Sequence, residues 1–364
     1  MRRAIELARN GEGWTNPNPL VGAVIVKDGL VIGEGWHHKY GELHAEREAL
    51  KDCRERGNDP AGADIFVTLE PCCHFGKQPP CTQALVEAGI KRVFVGSRDP
   101  NPLVHGKGNA FLRENSIEVT EDFLREECDA LNPIFFHYIT TKRPYVALKY
   151  AMTADGKIAT KTGASKWISG EESRAYVHQL RSRYAAILCG IGTVLADDPM
   201  LNCRMEGGHN PLRIICDSHL RIPLDCKIVQ SAKEIPTIVA CLEGALTGEG
   251  ASQKVAALKS AGVEVLPLPA GPEGNLDLAA LIRTLGERKI DSLLIEGGAE
   301  INFSVLSTGL VNRIYTFIAP KLFGGSAAKG PVAGAGIEGV EEAFTFKTAK
   351  IRHFGDDILI EYEK

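Results

Sequence analysis

The sequence predicts an α/β fold divided into two domains, 1–141 and 145–364, on three observations. Apolar runs of strand length alternate with stretches of helical periodicity along the whole chain, the pattern of helices covering a sheet. The alternation breaks at Thr140-Thr141-Lys142-Arg143-Pro144, where Pro restricts the residue before it, and then starts again. A length of 364 residues also exceeds what one hydrophobic core usually serves. The two halves do not repeat each other.

Composition narrows the class. Hydrophobic content of 44% with 24% charged residues is that of an ordinary globular protein. Lys plus Arg is 42 against 46 Asp plus Glu, a net charge of −4, so the basic excess of a nucleic-acid surface is missing. No apolar run approaches the ~20 residues of a membrane helix. The start, MRRAIELARNGEGW, is amphipathic and contains Glu6, so it reads as a first helix rather than a signal peptide. Ten Cys in a chain of this length read as small core residues, not as a disulfide framework. A cytoplasmic enzyme is expected, with no membrane and no nucleic acid as partner.

The elements follow in order. VGAVIVKDGLVIGEGWHH is a hairpin around Lys27-Asp28-Gly29, with Asp-Gly supplying the positive-φ turn. LHAEREALKDCRERG is a helix that Gly57 stops. ADIFVTLEP is a short buried strand, CTQALVEAG a helix and KRVFVGS another strand. GNAFLRENS and DFLREECDALN are helices with the strand IEVT between them. After the break come seven strands: YVALKYAMT, AAILCGI, LRIICDS, TIVACL, VEVLPL, SLLIEGG and IYTFIAPKLF. Helices such as EESRAYVHQLRSR and INFSVLSTG lie between them, and TVLADDP reads as a capped turn. FTFKTAKIRHFGDDILIEYE closes the chain as two antiparallel strands joined at Gly355-Asp356.

The chemistry is most legible at His44-Ala45-Glu46, followed by Pro71-Cys72 and Cys81. One imidazole and two thiolates are a tight ligand set for Zn²⁺ with an open fourth position, and a carboxylate beside them can move protons. Residues two apart do not share a helix face, so His44 and Glu46 reach one site only at the helix start. Cys81 also opens a helix, where thiolate is favoured over thiol. The bland alternative for His-x-Glu alone is a solvated helix start, and the downstream Cys pair argues against it. Cys73 is expected to point away, because neighbours in an extended loop alternate. His74 fits a substrate contact or simple packing equally well. Asn16-Pro17-Asn18-Pro19 is a rigid connector whose amides suit a pyrimidine edge. In the second half, Glu296-Gly297-Gly298 ends a strand and leads into a helix, a cradle for a phosphate but not a full dinucleotide fingerprint.

Spacing separates this site from most deaminases. Nucleic-acid and nucleoside deaminases carry Pro-Cys-x-x-Cys, whereas eight residues, CHFGKQPP, separate Cys72 from Cys81. With TNPNPLVGAVIV, GEGWHHKYGELHAE, TLEPCCHFGKQPPC and RDPNPLVHGKG, the first half resembles the deaminase of the bifunctional riboflavin-biosynthesis deaminase–reductases. LKYAMTADGKIA, SKWIS, TVLADDPMLNCR and IEGGAEI extend that resemblance through the second half in the family's order.

The resemblance implies a cytidine-deaminase-like three-layer domain followed by a dihydrofolate-reductase-like α/β domain. It implies zinc-dependent deamination of 2,5-diamino-6-ribosylamino-4(3H)-pyrimidinone 5′-phosphate, then reduction of the ribosyl group to ribityl with NADPH. His44, Cys72 and Cys81 would hold zinc, and Glu46 would be catalytic. Ala151, Trp167, Thr193, Asp197, Ser218 and the run Gly298, Ala299, Glu300, Ile301, Asn302, Phe303, Ser304 would border the cofactor. Ser165, Arg181, Leu201, Arg204 and Glu296 would contact the pyrimidine ribotide. Arg181 and Arg204 suit a phosphate, since guanidinium forks match its oxygens, although a surface ion pair is the plainer reading of each. Lys149 would meet the pyrimidine carbonyl. No residue reads as a 2′-phosphate contact, so NADPH over NADH rests on the resemblance, as does a homo-oligomer. The family usually has a few more residues before helix 1, so a short first helix is expected, and Cys73 stands where Ser is common. A tRNA or nucleoside deaminase with a non-catalytic C-terminal domain is the alternative reading, and a non-catalytic metabolite-binding regulator is a further one.

Overall fold

The structure, a computed structural model, describes residues 1–75, 78–101, 104–248 and 250–364. Gly76-Lys77 of the CHFGKQPP loop and Pro102-Leu103 of RDPNPLVHGKG lie outside the described residues. The chain forms two compact units, Met1–Lys142 and Arg143–Lys364.

The first unit runs α1 (Arg2–Ala8), β1 (Gly22–Lys27), β2 (Leu30–Trp36), α2 (Ala45–Glu55), β3 (Asp64–Leu69), α3 (Cys81–Glu87), β4 (Arg92–Ser97), α4 (Lys107–Glu114), β5 (Glu118–Thr120), α5 (Arg125–Asp129) and α6 (Pro133–Thr141). Asp28 and Gly29 both take positive φ, 51° and 79°, and close the β1–β2 hairpin. The sheet order is β2-β1-β3-β4-β5, antiparallel across the first three strands and parallel from β3 onward. Ile25, Ile65, Val67, Val93 and Val95 fill the core with Ala49, Leu50 and Cys53 of α2. Helix α2 lies so close to β2 that a Cβ at Gly35 would stand 2.3 Å from the Ala49 nitrogen. Only glycine permits that approach, and it fixes the height of the helix start above the sheet. Helix α6, which the sequence left unassigned before the domain break, starts with Pro133 at its first position, where no amide is needed.

The second unit runs β6 (Tyr145–Thr153), α7 (Glu171–Arg183), β7 (Ala186–Gly190), α8 (Ile191–Asp197), β8 (Leu212–Cys216), α9 (Lys227–Gln230), β9 (Thr237–Leu242), α10 (Ala251–Ser260), β10 (Val263–Leu268), α11 (Leu278–Glu287), β11 (Ser292–Glu296), α12 (Ala299–Ser307), β12 (Val311–Ala319), β13 (Lys347–Phe354) and β14 (Asp357–Glu363). Its strand order is β10-β9-β8-β7-β11-β6-β12-β14-β13. The pairings from β10 through β12 are all parallel, and the last hairpin adds antiparallel to β12. Parallel strands covered on both faces must be apolar throughout, hence Ala-Ile-Leu-Cys-Gly in β7 is buried at every position.

Two expectations need correction. TVLADDP is not a capped turn: Thr193 through Asp197 belong to α8, and the turn comes only at Asp198, with φ +40°. IYTFIAPKLF is not strand throughout, because β12 ends at Ala319, before Pro320, which has no amide for a ladder.

Parallel order places the carboxyl ends of β6, β7, β8 and β11 along one edge. The chain goes from β6 to β7 and on to β10, then returns with β11 between β6 and β7. A crevice opens at such a reversal.

Candidate metal centre and nucleotide cavity

His44 is the N-cap of α2, with extended backbone at φ −79° and ψ 161°. That conformation frees its side chain from the helical rotation, so it shares a site with Glu46 two residues on. Cys72 sits in the loop that leaves β3, and Cys81 is the first residue of α3. Arg47 donates from Nη2 to the Pro80 carbonyl at 3.0 Å, and Thr82 N donates to the Cys72 carbonyl at 3.2 Å. These bonds tie the helix start, the loop and α3 together.

Among the described residues, His44, Cys72 and Cys81 form the one cluster of ligand atoms suited to a metal, all within 4.8 Å of one another. His44 Nδ1 lies 3.5 Å from both the Cys72 and Cys81 Sγ atoms. A tetrahedral zinc with bonds near 2.05 Å to nitrogen and 2.3 Å to sulfur needs a nitrogen–sulfur separation of about 3.6 Å. Both nitrogen–sulfur edges therefore match zinc, with Nδ1 the imidazole atom turned to the two thiols. The Cys81 thiol, hydrogen-bonded to Cys72, and the adjacent His44 ring hold the Cys72 thiol down to about 4. The same bond, with burial, drives Cys81 upward.

Glu46 is buried beside the cluster, and burial followed by the Cys72 charge raises its carboxyl above the usual range. His37, also buried, is oriented by the Leu43 carbonyl at Nδ1 (2.9 Å) and Asn18 Nδ2 at Nε2 (3.1 Å). Its ring meets His44 edge-on, 5.4 Å between centroids. Asn18 thus reaches the site through His37. Cys73 is not in the cluster, and His74 has a buried Nδ1 with no hydrogen-bond partner among the described residues.

Two acids here escaped sequence reasoning. Glu70 accepts from the amides of Gly106 and Gly108, each at 3.0 Å, anchoring the start of α4 next to Pro71-Cys72. Asp99 is pushed up to about 6 by burial, with the Glu70 and Cys72 charges adding to the effect. The available signal was an acid just past the apolar strand RVFVGS.

In the second unit a cavity of about 1330 Å³ opens at the carboxyl ends of the strands. Ala151, Trp167, Thr193, Asp197 and Ser218 line it, as do Gly298, Ala299, Glu300, Ile301, Asn302, Phe303 and Ser304. Ser165, Arg181, Leu201, Arg204 and Glu296 line it too. Gly297 and Gly298 take φ of +97° and +80°, the left-handed region, which brings the backbone against Thr193 and turns the start of α12 toward the cavity. Asn302 also closes a wall, donating from Nδ2 to the Pro331 carbonyl at 2.7 Å. Trp167 stands 60% exposed, with the Arg174 guanidinium 4.7 Å over its ring.

A buried charge triad forms the base. Arg181 grips Glu296 with both prongs, Nε to Oε1 at 2.7 Å and Nη2 to Oε2 at 3.0 Å. Lys149 Nζ lies 3.6 Å from the same carboxylate. The Arg181 and Glu296 side chains are 14% and 8% exposed, so the surface ion pair that the sequence allowed for Arg181 does not describe it. Burial alone would raise Glu296, but Arg181 and Lys149 override it and hold the carboxyl down to about 2. Burial lowers Lys149. Lys149 faces the cavity, not solvent.

The comparisons match this division. Residues 1–97 match the cytidine and deoxycytidylate deaminase zinc-binding region, and residues 144–360 match the RibD C-terminal domain. A riboflavin biosynthesis protein RibD of Actinobacillus pleuropneumoniae is 56% identical, covering 100% of this chain and 94% of the relative. That of Escherichia coli is 38% identical over 99% of this chain and 97% of the relative. The crystal structure of a diaminohydroxyphosphoribosylaminopyrimidine deaminase/5-amino-6-(5-phosphoribosylamino)uracil reductase from Thermotoga maritima is similar along its length. It has a TM-score of 0.87 and 40% identity, with 100% of this chain and 97% of that one covered. With a zinc-shaped ligand triangle in one unit, a strand-end cavity in the other and relatives spanning both, the chain belongs to the RibD family of bifunctional riboflavin-biosynthesis deaminase–reductases.

Proposed function

We propose that the two units perform consecutive reactions on one pyrimidine ribotide, with residues 1–141 as the deaminase and 145–364 as the reductase. The first substrate is 2,5-diamino-6-ribosylamino-4(3H)-pyrimidinone 5′-phosphate, whose amine leaves as ammonia. The observation that carries this reading is the Nδ1–Sγ–Sγ triangle with buried Glu46 beside it. Zinc, when bound by His44, Cys72 and Cys81, supplies the Lewis acidity that makes water a nucleophile near neutral pH. Glu46 would take up a proton from the attacking water and return it to the departing amine, and burial raises its carboxyl above the usual range. His37 and Asn18 orient the pyrimidine edge.

In the second unit NADPH supplies the hydride. The turn at Gly297-Gly298 and the start of α12 hold its phosphates, and Ala151, Trp167, Thr193, Asp197 and Ser218 border the rest. Strand β8 lies two places from β11, roughly 10 Å at ordinary strand spacing. The loop after β8 would therefore be within reach of the adenosine ribose of a dinucleotide held at the β11 turn. His219, Arg221 and Lys227 line the cavity there with Ser218, a basic group that suits a 2′-phosphate. Lys149 meets the pyrimidine carbonyl, and Arg204 meets the ribotide phosphate.

We infer a cytoplasmic homo-oligomer. The cytoplasmic part is supported by the absence of any disulfide among the ten cysteines. No helix of the described residues is long and apolar enough to cross a membrane.

The test is one reaction with zinc-replete protein, the diaminopyrimidinone ribotide and NADPH. Ammonia release followed by stoichiometric NADPH oxidation is expected. Ammonia without oxidation would remove the reductase assignment. Neither, with zinc demonstrably bound, would remove the substrate. A tRNA or nucleoside deaminase with an idle second half is not favoured, because the family match extends through residue 360.

A further inference from the structure

Residues Leu201–Arg204 cross the cavity wall with no regular secondary structure, and Leu201 sits at φ +49°. Such a segment must satisfy its backbone groups through other partners. Apart from the Cys203 amide, which donates to Asn210 Oδ1 at 2.9 Å, its bonds run to one face of α7. Arg204 N donates to the His178 Nδ1 at 3.3 Å, and the Cys203 thiol donates to the His178 carbonyl at 3.3 Å. One turn on, Arg181 Nη1 donates to the Asn202 carbonyl at 3.1 Å. His178 and Arg181 are three apart and share that face.

The donors of Arg181 are divided between Glu296 and Asn202. Arg204 keeps more capacity: among the described residues its guanidinium makes one hydrogen bond, Nη1 to Asn202 Oδ1 at 3.2 Å. Arg204 is therefore the guanidinium placed to receive a phosphate, and its position depends on its own amide. We propose that His178 is a positioning residue for substrate binding: its Nδ1 lone pair holds the Arg204 amide and so sets where the Arg204 guanidinium meets the substrate's phosphate. This rests on the reading that Arg204 binds the ribotide phosphate.

The chemistry of the ring agrees. A ring nitrogen accepts an amide proton only when it carries none, so His178 is neutral with its proton on Nε2. Burial, then the Arg181 and Arg204 charges, hold its pKa down to about 4, against the opposing pull of Glu296 and the Asn202 carbonyl. The accepting form is thus the resident one at neutral pH.

Isosteres separate positioning from packing. Asn places Oδ1 where Nδ1 stands, Gln places its oxygen one bond further out, and Leu has no acceptor. Reductase kinetics in the full-length zinc-loaded protein would be measured with the deaminated ribotide and with its dephosphorylated riboside. Calorimetric binding of ribose 5-phosphate and melting temperature would accompany them. His178→Asn is expected to keep KM within about threefold of wild type, while His178→Gln and His178→Leu raise ribotide KM about tenfold with kcat within about twofold. Riboside KM should not move, and ribose 5-phosphate affinity should fall with the ribotide's. Wild-type KM in His178→Gln, a loss carried by kcat, or an Asn variant as impaired as Leu would each overturn the proposal. Arg204→Ala is the control on the underlying reading. If it leaves the ribotide preference intact, the phosphate assignment falls. If it abolishes the preference while His178→Gln does not, the inference about His178 falls alone.

Discussion

At the residue scale, function concentrates where a side chain is held against its own solvation. Burial raises the Glu46 carboxyl, and the bond between Cys72 and Cys81 lowers one thiol and raises the other. Two substitutions separate binding from chemistry. Cys81→Ala is expected to lose zinc, measured by atomic emission, and ammonia release with it, while NADPH oxidation on pre-deaminated substrate continues. Glu46→Gln should retain zinc yet lose deaminase kcat by roughly 10²–10⁴-fold, the contribution of a positioned acid–base group. Full zinc and full rate in Cys81→Ala would mean that another residue is the third ligand. The cluster of His44, Cys72 and Cys81 was legible in the sequence because residue type and spacing are local properties. Asp99 and Glu70 were not, since an acid after a strand is ordinary until the fold buries it.

At the element scale, the decisive features are the ends of strands and helices. Gly297 holds φ +97° with Thr193 Oγ1 about 3.1 Å from where a Cβ would stand. Gly297→Ala should cost roughly 1–3 kcal/mol in stability and weaken NADPH binding, read by fluorescence titration. Unchanged affinity would dissociate that turn from the cofactor phosphates. The β11 terminus also sets an acid limit. The Glu296 carboxyl lies near 2 in the folded protein against an ordinary 4.5, so the native state binds this proton less readily than the unfolded chain. Its stabilising contribution is complete above pH 4.5 and is lost as pH falls toward 2. Glu296→Gln leaves Lys149 and Arg181 buried beside a neutral amide and should destabilise at pH 7 by about 3–5 kcal/mol. The gap between wild type and variant should narrow as pH is lowered through that window, measured by denaturant midpoints. A constant gap would show that the carboxylate charge is not the source.

At the scale of the whole molecule, each unit packs on its own residues: Ile25, Ile65 and Val95 lie in a core of the first, Leu148, Ile214 and Leu293 in a core of the second. Ligand chemistry divides in the same way. Metal binding should therefore act on one transition of thermal unfolding. Removing zinc with dipicolinate is expected to lower the calorimetric transition of the first unit and leave the second where it was. NADPH should raise only the second. One merged transition that responds to both would mean that the units unfold as one.

The sequence by itself determined the alternation of strands and helices, the break near Pro144, the grouping of His44 with Cys72 and Cys81 and, through resemblance, the family. These are legible because periodicity, turn residues and ligand spacing act over a few residues at a time. Even local patterns failed where context ruled: TVLADDP became helix, and α6 passed unassigned beside a boundary. Tertiary structure alone decided that Nδ1 is the imidazole atom facing both thiols, and that Glu296 and Arg181 meet as a buried pair on the cavity. It alone joined His178 to Arg204, 26 residues further on, and turned His219, Arg221 and Lys227 to the cavity with Ser218. The reason is that burial, and the sharing of a donor among acceptors, depend on which distant segments meet. In this chain they meet at the ends of parallel strands that are far apart in sequence.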